Sequence, residues 1–82
     1  METPERFTAS LAEVVAGQIK SAGLSQRDVS SRAGVPLVTL SRRLTGRSPF
    51  NIAELVAVAS VLGVSVVDLA LKAERAATSA AA

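Results

Sequence analysis

Six cations, Lys20, Arg27, Arg32, Arg42, Arg43 and Arg47, share residues 20–47 with a single acid, Asp28, so this stretch carries +5 while the remainder carries −3. Guanidinium groups are planar forks of N–H donors that stay charged, and they take phosphate oxygens, or the N7 and O6 of guanine, two bonds at a time. The chemistry on offer is noncovalent recognition of a polyanion; the plainer reading is a solvated charged face. Covalent chemistry lacks its usual carriers. The 82 residues include no cysteine and no histidine, which removes thiolate and imidazole nucleophiles, disulfides and zinc sites of the usual ligand types. The chain is read as a non-enzyme with no catalytic residue, no metal and no cofactor.

Those cations need a rigid frame. Residues 24–46 read as two short helices hinged at Gly34, which offers no Cβ to a sharp turn, with small Ala33 beside it where the helices approach. Val29, Val35, Leu40 and Leu44 form the seam between them. The other face of the later helix carries Leu37, Val38, Ser41, Arg42 and Arg43 and is left free to enter a groove. This is the plan of a helix-turn-helix, and it points to binding of double-stranded DNA.

A chain of 82 residues builds one domain with one modest core. Because 49% of it is apolar yet Phe7 and Phe50 are its only aromatics, aliphatic side chains must fill that core, which suits an all-α bundle. Ser25 with Asp28, Asn51 with Glu54 and Ser65 with Asp68 each place a capping oxygen three residues before a carboxylate, and Gly23, Gly46 and Gly63 mark helix ends. Five helices follow, near residues 8–21, 25–32, 36–44, 51–62 and 65–74. The first start stays open between Thr3-Pro4 and Ser10 with Glu13. Leu11, Val15 and Ile19 form the buried stripe of the first helix, and Ile52, Leu55, Val56, Ala59 and Leu62 that of the fourth. Phe50 staples the fourth helix to the core. Val66, Leu69, Ala70 and Ala73 make the core stripe of the fifth, leaving Val67 and Leu71 either as an interface with a second copy or as a cap on the core. Residues 1–74 are taken as the domain and 75–82 as an alanine-rich tail that frays for want of anything to pack.

No charged leader precedes a short apolar run, so the protein is placed in the cytoplasm, with the nucleoid. Residues 52–71 are greasy, but Glu54 and Asp68 interrupt them. An Asp at the centre of a bilayer span costs about 2.5–3.5 kcal/mol, and no membrane role is assigned.

The chain resembles the lambda-repressor and Cro type of helix-turn-helix domain, the xenobiotic-response-element family, over roughly residues 8–71. The resemblance rests on Leu24-Ser25-Gln26, Gly34-Val35, Thr39-Leu40-Ser41-Arg42 and Gly46, and downstream on Leu55, Ala59, Leu62-Gly63-Val64-Ser65 and Asp68-Leu69. It implies a five-helix all-α domain with the helix-turn-helix at helices two and three. It also implies that Gln26 bonds a phosphate, that Leu37, Val38 and Arg42 read bases in the major groove, and that Arg27, Ser41, Arg43 and Arg47 meet phosphates. Two departures matter. Pro36 stands where the family has a serine or threonine cap, trading a capping bond for a pre-set φ. Leu37 and Val38 replace polar readers, so they either meet thymine methyl groups or pack against a partner protein or the chain itself.

The expected function is that of a sequence-specific transcriptional regulator, a small phage-type repressor or Cro-like switch protein, acting by occupancy of a palindromic operator. The partner is double-stranded DNA, read by a homodimer, if need be one formed only on DNA. If each domain neutralises about three or four phosphates, a pair gives a log-affinity against log-salt slope of roughly −5 to −7. The alternative is an antitoxin or other protein-binding module built on the same helices.

Overall fold

A computed structural model describes residues 3–81, which form five α-helices and no strand. They are α1 (Pro4–Ser21), α2 (Gln26–Ala33), α3 (Leu37–Leu44), α4 (Ile52–Leu62) and α5 (Val66–Ala81). The caps explain the boundaries. The Thr3 hydroxyl accepts the Arg6 N–H at 3.1 Å with Pro4 in the first turn, so α1 starts four residues before the expected residue 8. Ser10, the rival cap, is instead buried inside the helix. Ser25 with Asp28 and Asn51 with Glu54 form complete reciprocal boxes. At Ser65 only half of one forms: its hydroxyl accepts the Asp68 N–H at 3.3 Å, while the Asp68 carboxylate turns to Lys72 at 3.2 Å.

The core is shared evenly. The five largest fully buried side chains, Val15, Val29, Leu40, Val58 and Leu69, come one from each helix. The seam of Val29, Val35, Leu40 and Leu44 is buried throughout, and Phe50 packs against the same cluster ahead of α4. Here α2 and α3 meet across Gly34, whose φ of 71° is left-handed. Beyond its immediate chain neighbours, nothing lies within 4 Å of where its Cβ would be. The turn therefore needs glycine for its backbone angle and not for crowding, a correction to the steric reason expected for it. The Ser30 hydroxyl, donating to the Val35 carbonyl at 2.5 Å, pins the turn from inside.

Two expectations fail. On α4, Ile52 is 73% and Val56 50% exposed, and Val58 takes the central buried place. The buried face runs through Leu55, Val58 and Ala59, rotated from the expected stripe, because α4 is apolar nearly all round and its pattern does not say which side faces in. On α5 the helix runs to Ala81, well past the expected end at 74. Ala77, inside the expected tail, is as fully buried as Ala73 of the expected core stripe, so the packed face continues past residue 74. α5 lies chiefly along α1, and methyl side chains let the two axes come close. Residue 82, the last of the expected tail, lies outside the described residues.

Among the described residues no single helix is long and apolar enough to cross a membrane; Ile52–Leu62 and Val66–Thr78 are apolar enough together but meet at 103°.

Candidate nucleic-acid interface

The later helix of the pair, α3, is anchored by Leu40 and Leu44 and presents its other side outward. Pro36 precedes it with φ −54° and contributes no side-chain cap, as its ring dictates. Val38, in the first turn, is 66% exposed, Arg42 one turn on is exposed, and Leu37 and Ser41 are half-buried between them. The carboxyl end is closed by two backbone bonds, Gly46 N–H to the Arg43 carbonyl at 3.2 Å and Arg47 N–H to the Arg42 carbonyl at 3.0 Å. This double closure with Gly46 at φ 76° turns the chain so that Arg47 comes back beside Arg42.

Across from α3 stands the amino end of α2. Its capping residue Ser25 and its first two helical residues, Gln26 and Arg27, complete the wall of an open concavity of about 650 Å³ lined also by Leu37, Val38, Ser41, Arg42 and Arg47. Seven of the eight residues expected to contact DNA are thus brought together, and Ser25 joins them. Three arginines and no acid line the hollow, so its local field is positive although the whole chain is only +2. The free N–H groups of the first turn of α2 add to that field.

Arg43, the eighth, is elsewhere. Its guanidinium turns toward α4, where Nε donates to Glu54 Oε1 at 2.7 Å and Nη2 to Oε2 at 3.1 Å, and Nη1 donates to the Ser48 hydroxyl. In the sequence Glu54 stands out as half of a capping box and as a charge interrupting an apolar run, and nothing singles out Ser48. Neither partner, eleven and five residues on from Arg43, follows from its spacing, because the loop between α3 and α4 breaks the helical register.

Two carboxyls have their titration moved. The Arg43 fork holds Glu54 below the ordinary value of 4.5, against the effect of partial burial, and the Asn51 N–H adds to it. The Ser25 N–H, and then the Ser25 hydroxyl, hold Asp28 below 3.8. A carboxyl depressed in the folded state adds stability above its unfolded value and loses it as pH falls through the folded one. The melting temperature is therefore expected to be level at neutral pH and to drop progressively below about pH 4.5, with Glu54→Gln flattening part of that drop in a calorimetric pH series. An unchanged acid profile in that variant would count against the fork.

A family model described as helix-turn-helix matches residues 18–69 of the chain, a span from the end of α1 into α5. No curated protein matches the sequence. Among solved structures, a crystal structure of the clp gene regulator ClgR from Corynebacterium glutamicum superposes with a TM-score of 0.87 at 23% identity, covering 99% of this chain and 84% of that one. A second ClgR crystal structure gives 0.79 at 23% identity, over 85% of this chain and 91% of that one. At that identity the likeness is one of fold.

Proposed function

The chain belongs to the helix-turn-helix family of lambda-repressor and Cro type, and from that premise we propose that it binds a specific double-stranded DNA sequence and regulates transcription by occupying it. The observation that carries the reading is the concavity, where Arg27, Arg42 and Arg47 flank exposed Val38 and half-buried Leu37 on the free face of α3. In this reading α3 lies in the major groove. Arg42 forks to guanine, Leu37 and Val38 meet thymine methyl groups, and Gln26, Arg27, Ser41 and Arg47 hold the backbone. The protein does no chemistry on its ligand. A small phage-type repressor or Cro-like switch acting in the cytoplasm on the nucleoid fits this mode.

Selection of binding sites from random duplexes, followed by Arg42→Ala, tests the assignment. Loss of a guanine fork removes about 1–3 kcal/mol of discrimination, so affinity for the selected site is expected to fall roughly five- to 150-fold while the preference at that base pair relaxes. Replacing the thymine opposite Val38 by deoxyuridine removes one methyl contact and is expected to weaken binding about fourfold. An unaltered preference in Arg42→Ala would overturn the role given to Arg42. Loss of a protein partner with DNA binding intact would favour the protein-binding alternative.

Because eight residues of helix reach only a few base pairs, the reading includes a second copy on a second half-site, about 34–36 Å away along the duplex. Val67 at 67% and Leu71 at 45% exposure, beside Phe7 on the α1–α5 side, offer the face for it. Sedimentation equilibrium is expected to show a dimer on the selected duplex; a single copy bound at saturation would remove this part of the proposal.

A further inference from the structure

We propose that Arg43 is a positioning residue, which locks the loop that carries Arg47 and does not touch DNA itself; the inference rests on the DNA-binding reading above. Arg43 and Arg42 are neighbours on α3, yet Arg42 is exposed and the Arg43 side chain is only 21% exposed. Every nitrogen of the Arg43 guanidinium is engaged, Nε and Nη2 by the two oxygens of Glu54 and Nη1 by Ser48. A phosphate would find only one remaining N–H on each Nη, on a guanidinium whose charge Glu54 already balances.

The partners are themselves fixed. Glu54 Oε1 also accepts the Asn51 N–H at 3.0 Å, and Asn51 Oδ1 accepts the Glu54 N–H at 2.7 Å, so the carboxylate is held by the first turn of its own helix. One guanidinium therefore ties together three segments: the last turn of α3, the loop at Ser48 and the start of α4. Arg47 lies inside that tie. On one side its N–H bonds the Arg42 carbonyl at 3.0 Å; on the other its neighbour Ser48 is held by Arg43. Single ion pairs contribute only modestly to stability even when part-buried and bidentate, as this one is. Their consequence here is geometric, since a planar fork fixes distance and angle together and a contact held loosely by its supports loses most of its value.

The test uses neutral variants of the whole chain on the selected duplex, with melting curves confirming that each is folded at the assay temperature. Arg43→Met and Glu54→Gln are each expected to weaken binding roughly threefold or more, and the double variant to be no weaker than the worse single one. Arg43→Lys keeps the charge without the fork and is expected to restore only part of the loss. In the Arg43→Met background, Arg47→Ala is expected to lose most of its own effect, which a general loss of stability would not bring about. A direct phosphate contact predicts the opposite sign for Glu54→Gln: the guanidinium is released, affinity holds or rises, and the salt dependence steepens. That result, or additive effects of Arg43→Met and Arg47→Ala, overturns the inference and leaves DNA binding standing. Failure of the unaltered protein to select any duplex overturns both.

Discussion

Affinity for the selected duplex is expected to fall about a thousandfold as monovalent salt rises from about 50 to 200 mM. Each phosphate neutralised by a cation releases condensed counterions, and the log-affinity falls with log-salt by about 0.9 per phosphate on duplex DNA. The concavity offers Arg27, Arg42 and Arg47, about three neutralising cations per domain, since Arg42 displaces counterions from the groove even while it forks to a base, and twice that for a pair. The slope is then roughly −5, and a fourfold rise in salt removes about three decades of affinity. Arg43 would have raised the count to four, but its guanidinium is committed to Glu54 and Ser48, so the shallower end of the range is the one expected. Anisotropy titrations across salt measure the slope directly. A value near zero would mean that the positive hollow does not face phosphate, and the DNA-binding reading would go with it. A value near half the expected one would mean that a single domain binds alone.

The parts of this protein that could be read from its residues are those where a local rule has one solution. Ser25 with Asp28 and Asn51 with Glu54 each close a capping box on themselves, so α2 and α4 begin where the letters place them. Val29, Val35, Leu40 and Leu44 are the large aliphatics at helical spacing on either side of Gly34, and they form the seam. The clustering of seven of the eight residues expected to meet DNA followed from that seam, because burying Leu40 and Leu44 turns Leu37, Val38, Ser41 and Arg42 outward. Where the letters allowed two solutions, the choice came from tertiary packing. α4 is apolar on several sides, and only its neighbours decide that Val58 goes in and Ile52 stays out. The alanines after residue 74 form no stripe of their own, yet Ala77 is buried because α5 lies along α1. The partnership of Arg43 with Glu54 spans a loop, across which a helical period carries no information. Legibility ended where contacts depend on how one helix is set against another.

Leu40→Ala is expected to cost about 2–5 kcal/mol of folding stability, the range for emptying a fully buried aliphatic site. A domain of this size holds only about 4–12 kcal/mol in total, so the melting temperature should fall by at least about 10 °C, and the folded fraction near 37 °C becomes marginal. The site gives little room for collapse. Leu40 is fully buried at the junction of α2 and α3, and Val29 and Val35, which share its seam, are themselves β-branched and stiff. The functional consequence runs through the same residue. Its backbone N–H closes the first turn of α3 on the Pro36 carbonyl at 2.8 Å, and its side chain fixes the rotation of α3 that sends Val38 and Arg42 outward. DNA binding should therefore be lost together with the melting transition. Val38→Ala makes the contrast: a side chain 66% exposed has little core to lose, so its melting temperature should stay within a few degrees while operator preference changes. Calorimetry and anisotropy on the two variants separate the inner and outer faces of one eight-residue helix. A Leu40→Ala protein that melts where the parent does would place the core elsewhere, and the outward face assigned to α3 would have no anchor.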